Sequence, residues 1–290
     1  MFIRMGDHKK TVPALVLVPN LLTTLALCCG LASLHFALLK DWDKALAAIV
    51  LSGIFDVLDG AAARLLRVSS RFGAVLDSLS DFLAFGVAPA LILQQWLLVP
   101  AAANGTEKPA RWLVTLTLVA VMTFAVCAAL RLARFTSALD KPAPAPPPAG
   151  QPAMKKPGLF FVGMPTPAGA GVVLIPAFLL ASDEVPQVLS VPQWVIAGWT
   201  ILIGLLMVSR IPMFALKGVR VGRRWTAPLL LVVVMLAALM LMEPWLVLAG
   251  IAIFYFATIP WAWMLQRHGK KREAATASSP AGPPLSPSSQ

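Results

Sequence analysis

Four aspartates and an arginine interrupt an otherwise apolar stretch of this chain: Asp56, Asp59, Arg64, Asp77 and Asp81, with Gly60, Ala63 and Gly73 among them. A charged side chain at the centre of a bilayer costs about 2.5 to 3.5 kcal/mol on insertion scales, so acids at membrane depth are expected where function uses them. Asp56 and Asp59 are three residues apart and Ala63 lies four beyond, which places all three on one face of a helix. Gly73, Asp77 and Asp81 recur every four residues and share a face of the next helix. The polar segment RLLRVSSR (Arg64 to Arg71) turns the chain between them, so the spacing predicts antiparallel helices with opposed acid faces. Four carboxylates converging in this way repel one another unless cations neutralise them. Oxygen donors without His or Cys suit hard ions such as Mg²⁺ or Mn²⁺. Two divalent ions would balance four carboxylates, and paired metals are a common clamp for displacement at phosphorus. Gly60 and Gly73 lack a Cβ, which leaves room for a bulky ligand against the backbone.

The elements that must carry these residues are membrane helices. Hydrophobic residues make up 58% of the 290-residue chain, mean hydropathy is +0.79 and charged residues are 13%, which excludes an ordinary soluble domain. Charges, Pro and Gly divide the chain into eight spans at 12–39, 44–66, 73–99, 111–136, 166–182, 191–209, 225–242 and 244–265. The fold class expected is therefore all-α, a polytopic helical bundle. The first apolar run is longer than a signal-peptide core and reads as a retained helix. The expected organisation is an N-terminus at 1–11, a membrane domain at 12–210, a C-terminal helix pair at 211–268 and a disordered tail at 269–290.

Charge sets the expected orientation. With the N-terminus in the cytoplasm, 20 of the 24 Lys and Arg residues fall on the inside, and Lys40, Lys44, Lys108 and Arg111 remain outside. This positive-inside split predicts an even number of spans, both termini inside and the acid site near the cytoplasmic face. The net charge of +11 then reports topology and contact with anionic lipid. No recognition motif accompanies it, so nucleic acid is not an expected partner.

Other segments carry less chemistry. The segment KPAPAPPPAGQPAMKKP (Lys141 to Pro157) reads as an extended cytoplasmic loop, and the Ser, Pro and Ala-rich tail as unstructured. Cys28, Cys29 and Cys127 all lie in apolar spans and read as buried small hydrophobes, without a disulfide framework. His8, His35 and His268 are scattered without ligand spacing.

The segment DVLDGAAARLLRVSSRFGAVLDSLSD (Asp56 to Asp81) resembles the signature of the CDP-alcohol phosphotransferases: DGxxAR, eight residues, then GxxxDxxxD, with a further Asp three before the DG. Every fixed position is filled. The bland alternative is that the acids pair with Arg64, Arg67 and Arg71 or cap helix ends. Three more segments narrow the resemblance: VPNLLTTLALCCGL (Val18 to Leu31), ALRLARF (Ala129 to Phe135) and FFVGMPTPAGAG (Phe160 to Gly171). Together they are similar to the type II phosphatidylserine synthases over residues 13 to 210. Ala26 and Thr136 depart from the Asn that many relatives carry at the corresponding positions.

The resemblance implies transfer of the phosphatidyl group from CDP-diacylglycerol to L-serine, with release of CMP, in the bacterial inner membrane by a protein that is commonly a homodimer. It implies that Asp56, Asp59, Asp77 and Asp81 hold Mg²⁺ or Mn²⁺, two ions in all, and that Asp81 is also the base. It implies that Gly60, Ala63, Arg64 and Gly73 shape the CDP-lipid site. Serine is a zwitterion and calls for a cation at its carboxylate, a role for which Arg131 and Arg134 are candidates, three apart on one face. Both also fit as ordinary interfacial anchors, as does Arg210. Met164 to Pro167 is either a wall of the acceptor pocket or a helix start. Asn20 and Thr23 either bond the ligand or cap their helix. Other acceptors of the same chemistry are glycerol 3-phosphate, inositol phosphate and choline. A divalent-cation transporter is the alternative from another class, since facing acids also line ion paths.

Overall fold

The computed structural model of the chain describes residues 14–68, 70–98, 110–139, 160–182, 191–209, 212–214 and 226–277. The Pro-rich segment 141–157, Arg210 and His8 lie outside them.

The first two helices form a hairpin. Helix α1 (Ala14–Leu38) and α2 (Trp42–Leu66) pack along their length. The connection is short because each side is capped locally. Lys40 takes a left-handed conformation with φ 59°, and its N–H donates to Ala37 O at 3.1 Å. Asp41 caps α2, accepting from Lys44 N at 3.2 Å and from Lys44 Nζ at 2.6 Å. That side-chain hydrogen bond holds the Asp41 carboxyl below the usual carboxylate range. At its far end α2 stops at Arg67, which is left-handed (φ 52°, ψ 36°) and donates its backbone N–H to Arg64 O. A non-glycine residue in this conformation is uncommon, and here it closes the helix end as an αL cap.

The chain then re-enters the bundle. Helix α3 (Arg71–Asp81) starts at Ser70, whose hydroxyl accepts from Gly73 N at 2.9 Å. It continues through a π-helical stretch (Phe82–Val87), α4 (Ala88–Leu93) and a second π-helical stretch (Gln94–Leu98). Pro89 offers a cause for the first stretch: it lacks an N–H, and in a regular helix its ring would collide with the carbonyl of Phe85. Helix α5 (Arg111–Leu139) follows.

The expected fifth span is two short helices, α6 (Thr166–Val173) and α7 (Ile175–Ala181), which meet at Leu174 with Pro176 just beyond. Helix α8 (Gln193–Val208) packs on α5 and runs in the same direction, with Gly204 against Phe124 and Val208 against Arg134. Two strands, β1 (Phe160–Val162) and β2 (Pro212–Phe214), pair antiparallel with Phe160 opposite Phe214. No alternating pattern announced them. The chain ends with α9 (Thr226–Met242) and α10 (Pro244–Ala277), the latter continuing past Gly269, where the sequence placed the start of the tail.

The core is made of Leu46, Ile92, Leu93, Phe124, Met164, Leu174, Ile203 and Met207, all nearly inaccessible. Glycine lets the helices meet closely: a Cβ on Gly30 would lie 2.9 Å from Ala84 Cβ, and one on Gly204 would lie 3.0 Å from Phe124 Cα. Such small-residue contacts are the usual means of packing membrane helices, where burial of apolar surface supplies little drive. Leu229 to Val234 of α9 are exposed on every side, which is the pattern of a helix immersed in lipid. Four helical segments, Leu17–Leu38, Trp42–Leu66, Arg71–Trp96 and Arg111–Arg134, are long and apolar enough to cross a membrane, and Gln193–Val208, Pro228–Met242 and Pro244–Pro260 are shorter apolar helices. The protein is an integral membrane helical bundle, and the helix starts and ends fall within a few residues of those expected, except that α10 runs to Ala277 where the span was expected to end at 265.

Candidate metal centre

The opposed faces of α2 and α3 meet as their spacing requires. Asp56 and Asp59 project from α2 and Asp77 from α3, and one carboxylate oxygen from each lies within 4.8 Å of the others. Three carboxylates this close form a hard, oxygen-only donor set, which fits Mg²⁺ or Mn²⁺ and not a thiolate-seeking metal. Asp81 stands one turn beyond Asp77, outside this triple, with its carboxyl close to that of Asp56.

Helix α1 supplies the third wall. Asp59 is only 6% exposed, so its charge needs partners. Thr23 Oγ1 lies 2.6 Å from Asp59 Oδ2 and 3.0 Å from Pro19 O. A hydroxyl has one proton to donate, and the shorter, charge-assisted contact to Asp59 is the one to expect it to serve. Thr23 therefore supports an acid in place of capping its helix. Beside the carboxylates is a cavity of about 270 Å³ lined by Pro19, Asn20, Thr23, Asp56, Asp59, Gly60, Ala63, Val68, Ser70, Gly73, Ala74 and Asp77. Ser70, Val68 and Ala74 were not singled out from the sequence. Ser70 carries a helix-start signal, since it immediately precedes the first turn of α3.

The two motif glycines differ. A Cβ on Gly73 would lie 2.7 Å from Asn20 Oδ1 and 3.0 Å from Ser70 Oγ, so the close approach of α1 requires glycine there. A Cβ on Gly60 would meet nothing nearer than Arg64 Nη1 at 3.5 Å. Packing does not demand glycine at 60, and its bare backbone lines the cavity. The Arg64 guanidinium lies over that backbone at the exposed end of the helix. Among the described residues, neither Arg64 nor Arg67 forms an ion pair with the aspartates, so these two arginines are not what the acids are for.

The arginines of α5 part company. Arg131 is half-buried, and its guanidinium lies within electrostatic reach of Asp81 and of Tyr255 on α10. Its Nη1 is 3.2 Å from the place a Cβ would take on Gly163, a residue with φ +80°. Arg134 is exposed and donates from Nη1 to Val208 O at 3.2 Å, which satisfies a carbonyl at the end of α8. Equal spacing on one face thus yields one arginine directed toward the acids and one closing a neighbouring helix. In the segment FFVGMPTP, Met164 is fully buried and Pro165 caps α6. Of the three cysteines expected to be buried only Cys127 is: Cys28 is exposed and Cys29 intermediate on α1, and none joins the acid cluster.

Comparison with known proteins agrees with this geometry. The family model described as CDP-alcohol phosphatidyltransferase matches residues 16–208, and one described as CDP-alcohol phosphatidyltransferase 2 matches residues 224–260. The chain is 36% identical over 253 residues to the CDP-diacylglycerol–serine O-phosphatidyltransferase of Mycobacterium tuberculosis, covering 87% of this chain and 80% of that one. It is 29% identical over 256 residues to the protein of that name from Helicobacter pylori, covering 87% and 93%. It is 37% identical over 163 residues to that of Methanocaldococcus jannaschii, covering 56% and 60%. The matched region begins in α1, runs through both acid faces and ends with α8, so the helices that build the cavity are the helices the match covers, and the chain belongs to the CDP-alcohol phosphatidyltransferase family.

Proposed function

We propose that the protein transfers the phosphatidyl group of CDP-diacylglycerol to L-serine and releases CMP. The observation that carries the reaction is the convergence of Asp56, Asp59 and Asp77 beside a 270 Å³ cavity. Support for serine comes from relatives that match most of the chain and are named for serine transfer.

Asp56, Asp59, Asp77 and Asp81 would hold two divalent ions, Mg²⁺ or Mn²⁺. When bound, such ions neutralise the diphosphate and the charge that develops on the departing CMP. The chain's own residues do the rest. Gly60, Ala63 and Gly73 leave the cavity wall low enough for the cytidine diphosphate to lie against the backbone. Arg64, at the mouth, contacts a phosphate as a planar double donor. Asp81 takes the proton from the serine hydroxyl as its oxygen bonds to the β-phosphorus, and the bond from that phosphorus to the CMP oxygen breaks. Transfer is direct: among the described residues no Cys or His lines the cavity, and Ser70, which does, is engaged as the cap of α3. Arg131 receives the serine carboxylate, with Arg134 the weaker candidate because a helix end already engages it.

The active site faces the cytoplasm, with both termini inside, in the inner membrane of a bacterium, and the working unit is a homodimer. Residues 12–210 form the catalytic membrane domain and 211–268 a C-terminal helix pair, preceded by a cytoplasmic 1–11 and followed by a tail within 269–290. The test is CMP release by the purified protein from CDP-diacylglycerol with Mn²⁺ or Mg²⁺, comparing L-serine, glycerol 3-phosphate, inositol phosphate and choline. Serine-dependent release is expected. Release with another acceptor instead would overturn the acceptor, and none with any of them would overturn the reaction.

A further inference from the structure

The two acid-bearing helices carry the same stripe well beyond the acids. On α2, Ile49, Gly53, Asp56, Gly60 and Ala63 follow one another at intervals of four and three, which keeps them on one face. On the facing helix Gly73, Asp77, Asp81 and Phe85 recur every four, the last within the π-helical stretch. Gly60, Ala63 and Gly73, toward the turn between the helices, line the cavity beside the carboxylates. Ile49, Gly53 and Phe85, on the other side of the acids, line a second cavity of about 320 Å³ that is almost wholly apolar. At 1.5 Å per residue, Gly53 stands about 5 Å from Asp56 along the helix axis. The first cavity, the carboxylates and the apolar cavity therefore follow in that order along one track.

The far walls of the apolar cavity are α6, α7 and α10, through Gly171, Phe178 and Ile251 among others. Among the described residues α10 packs on α6 and α7, and α2 packs on α7, whereas α2 and α10 barely touch each other. Ile251, which lines the cavity from α10, is 49% exposed, so the cavity opens on that side to the surroundings of the bundle. Two glycines keep its volume empty. Gly30 and Gly204 sit at helix contacts that a Cβ would disturb, but a Cβ on Gly53 would meet only Phe85, at 3.7 Å, and one on Gly171 would meet nothing within 4 Å. Gly198 and Gly250 are open too, yet both sit on exposed faces, while Gly53 and Gly171 are half-buried against the cavity. Glycine inside a helix is less stable than alanine, and packing requires it at neither position. What the missing side chains supply is room.

We propose that Gly53 and Gly171 are specificity-determining residues for the donor lipid: they keep the apolar cavity open for one acyl chain of the phosphatidyl group, which enters between α2 and α10 while the diphosphate lies at the carboxylates. This rests on CDP-diacylglycerol being the donor. That molecule carries its nucleotide and its chains on opposite sides of the diphosphate, the order in which the two cavities flank the acids. The C-terminal helix then forms part of the donor site, and the volume left by the glycines sets how well a chain of given length fits.

The experiment compares CMP release from dibutanoyl and dipalmitoyl CDP-diacylglycerol, in mixed detergent micelles with saturating serine, by the full-length protein and by Gly171→Leu and Gly53→Leu. The two variants fill the cavity from opposite walls and on different helices, and co-elution with wild type on a sizing column checks folding. Each should lower kcat/KM for the dipalmitoyl donor by about tenfold or more, and for the dibutanoyl donor, whose chains barely reach the cavity, by about twofold or less. Equal losses with both donors, or no loss with either, would overturn the proposal. Occupancy is read without turnover by a CDP-diacylglycerol bearing a diazirine on one chain. On irradiation it should label α2, α6 or α10 at the cavity, be displaced by unlabelled CDP-diacylglycerol but not by phosphatidylcholine, and lose that label in Gly171→Leu. Equal displacement by both lipids marks a site for bulk lipid only and overturns the proposal. Wild type that releases no CMP yet keeps the competed label refutes the reaction and leaves the cavity assigned, whereas loss of both refutes both.

Discussion

Thr23 Oγ1 on α1 lies 2.6 Å from Asp59 Oδ2 on α2, so the helix that bears no acid fixes the orientation of one that does. A hydrogen bond to a charged group contributes about 1.5 to 3 kcal/mol. Thr23→Val, which keeps the shape and removes the hydroxyl, should therefore raise the Mn²⁺ concentration for half-maximal CMP release by roughly tenfold or more. A metal titration of the variant checks this, and an unshifted midpoint would remove Thr23 from the site.

In the proposed mechanism Asp81 is the base as well as a ligand. Asp81→Asn keeps the size of the side chain but cannot accept the serine proton, so transfer should fall by about 10² to 10⁴-fold. CDP-diacylglycerol binding, followed by equilibrium competition, should remain. Activity near wild type would reassign the base.

The two motif glycines should fail in distinguishable ways. Gly73→Ala drives a methyl to 2.7 Å from Asn20 Oδ1, which costs stability by an overpacking clash of about 1 to 3 kcal/mol. Pairing it with Asn20→Ala should restore much of the lost melting temperature, the non-additivity expected of residues in contact. Gly60→Ala makes only ordinary contacts, so its melting temperature should match wild type while the KM for CDP-diacylglycerol rises.

Arg134→Ala should leave the serine KM unchanged and lower thermal stability slightly, since its hydrogen bond serves Val208 O. Exposed interactions of this kind are worth about 1 kcal/mol or less. A serine KM raised as strongly as by Arg131→Lys would return Arg134 to the acceptor site.

The paired acid faces were legible because spacings of three and four residues survive folding: whatever else α2 and α3 touch, Asp56 with Asp59 and Asp77 with Asp81 share their faces. Most helix ends were legible for the same local reason, through the charges, Pro and Gly that divide the apolar runs, and the caps Asp41 and Ser70 stand at two of them. What was not legible depends on partners distant in sequence. Arg131 and Arg134 are equivalent by spacing, and only the end of α8, 74 residues from Arg134, separates them. The pairing of Phe160 with Phe214 is likewise non-local, and three residues per strand are too few to show alternation. The break at Leu174 had a local signal in Pro176, outweighed by the continuity of the apolar run around it.

The π-helical stretch from Phe82 to Val87 begins directly after Asp81 and has a consequence for how this chain can change over generations. Each residue of an α-helix advances its azimuth by about 100°, whereas an i→i+5 turn spreads the same rotation over about one residue more. Deleting one residue from that stretch would let it tighten to α-helix with Asp77 and Asp81 still turned toward Asp56 and Asp59. Deleting one between Asp77 and Asp81 would instead carry one acid off the shared face by about 100°. The stretch is therefore where this helix can lose a residue at least cost to the site, and single-residue deletions should persist there more readily than within Arg71–Asp81.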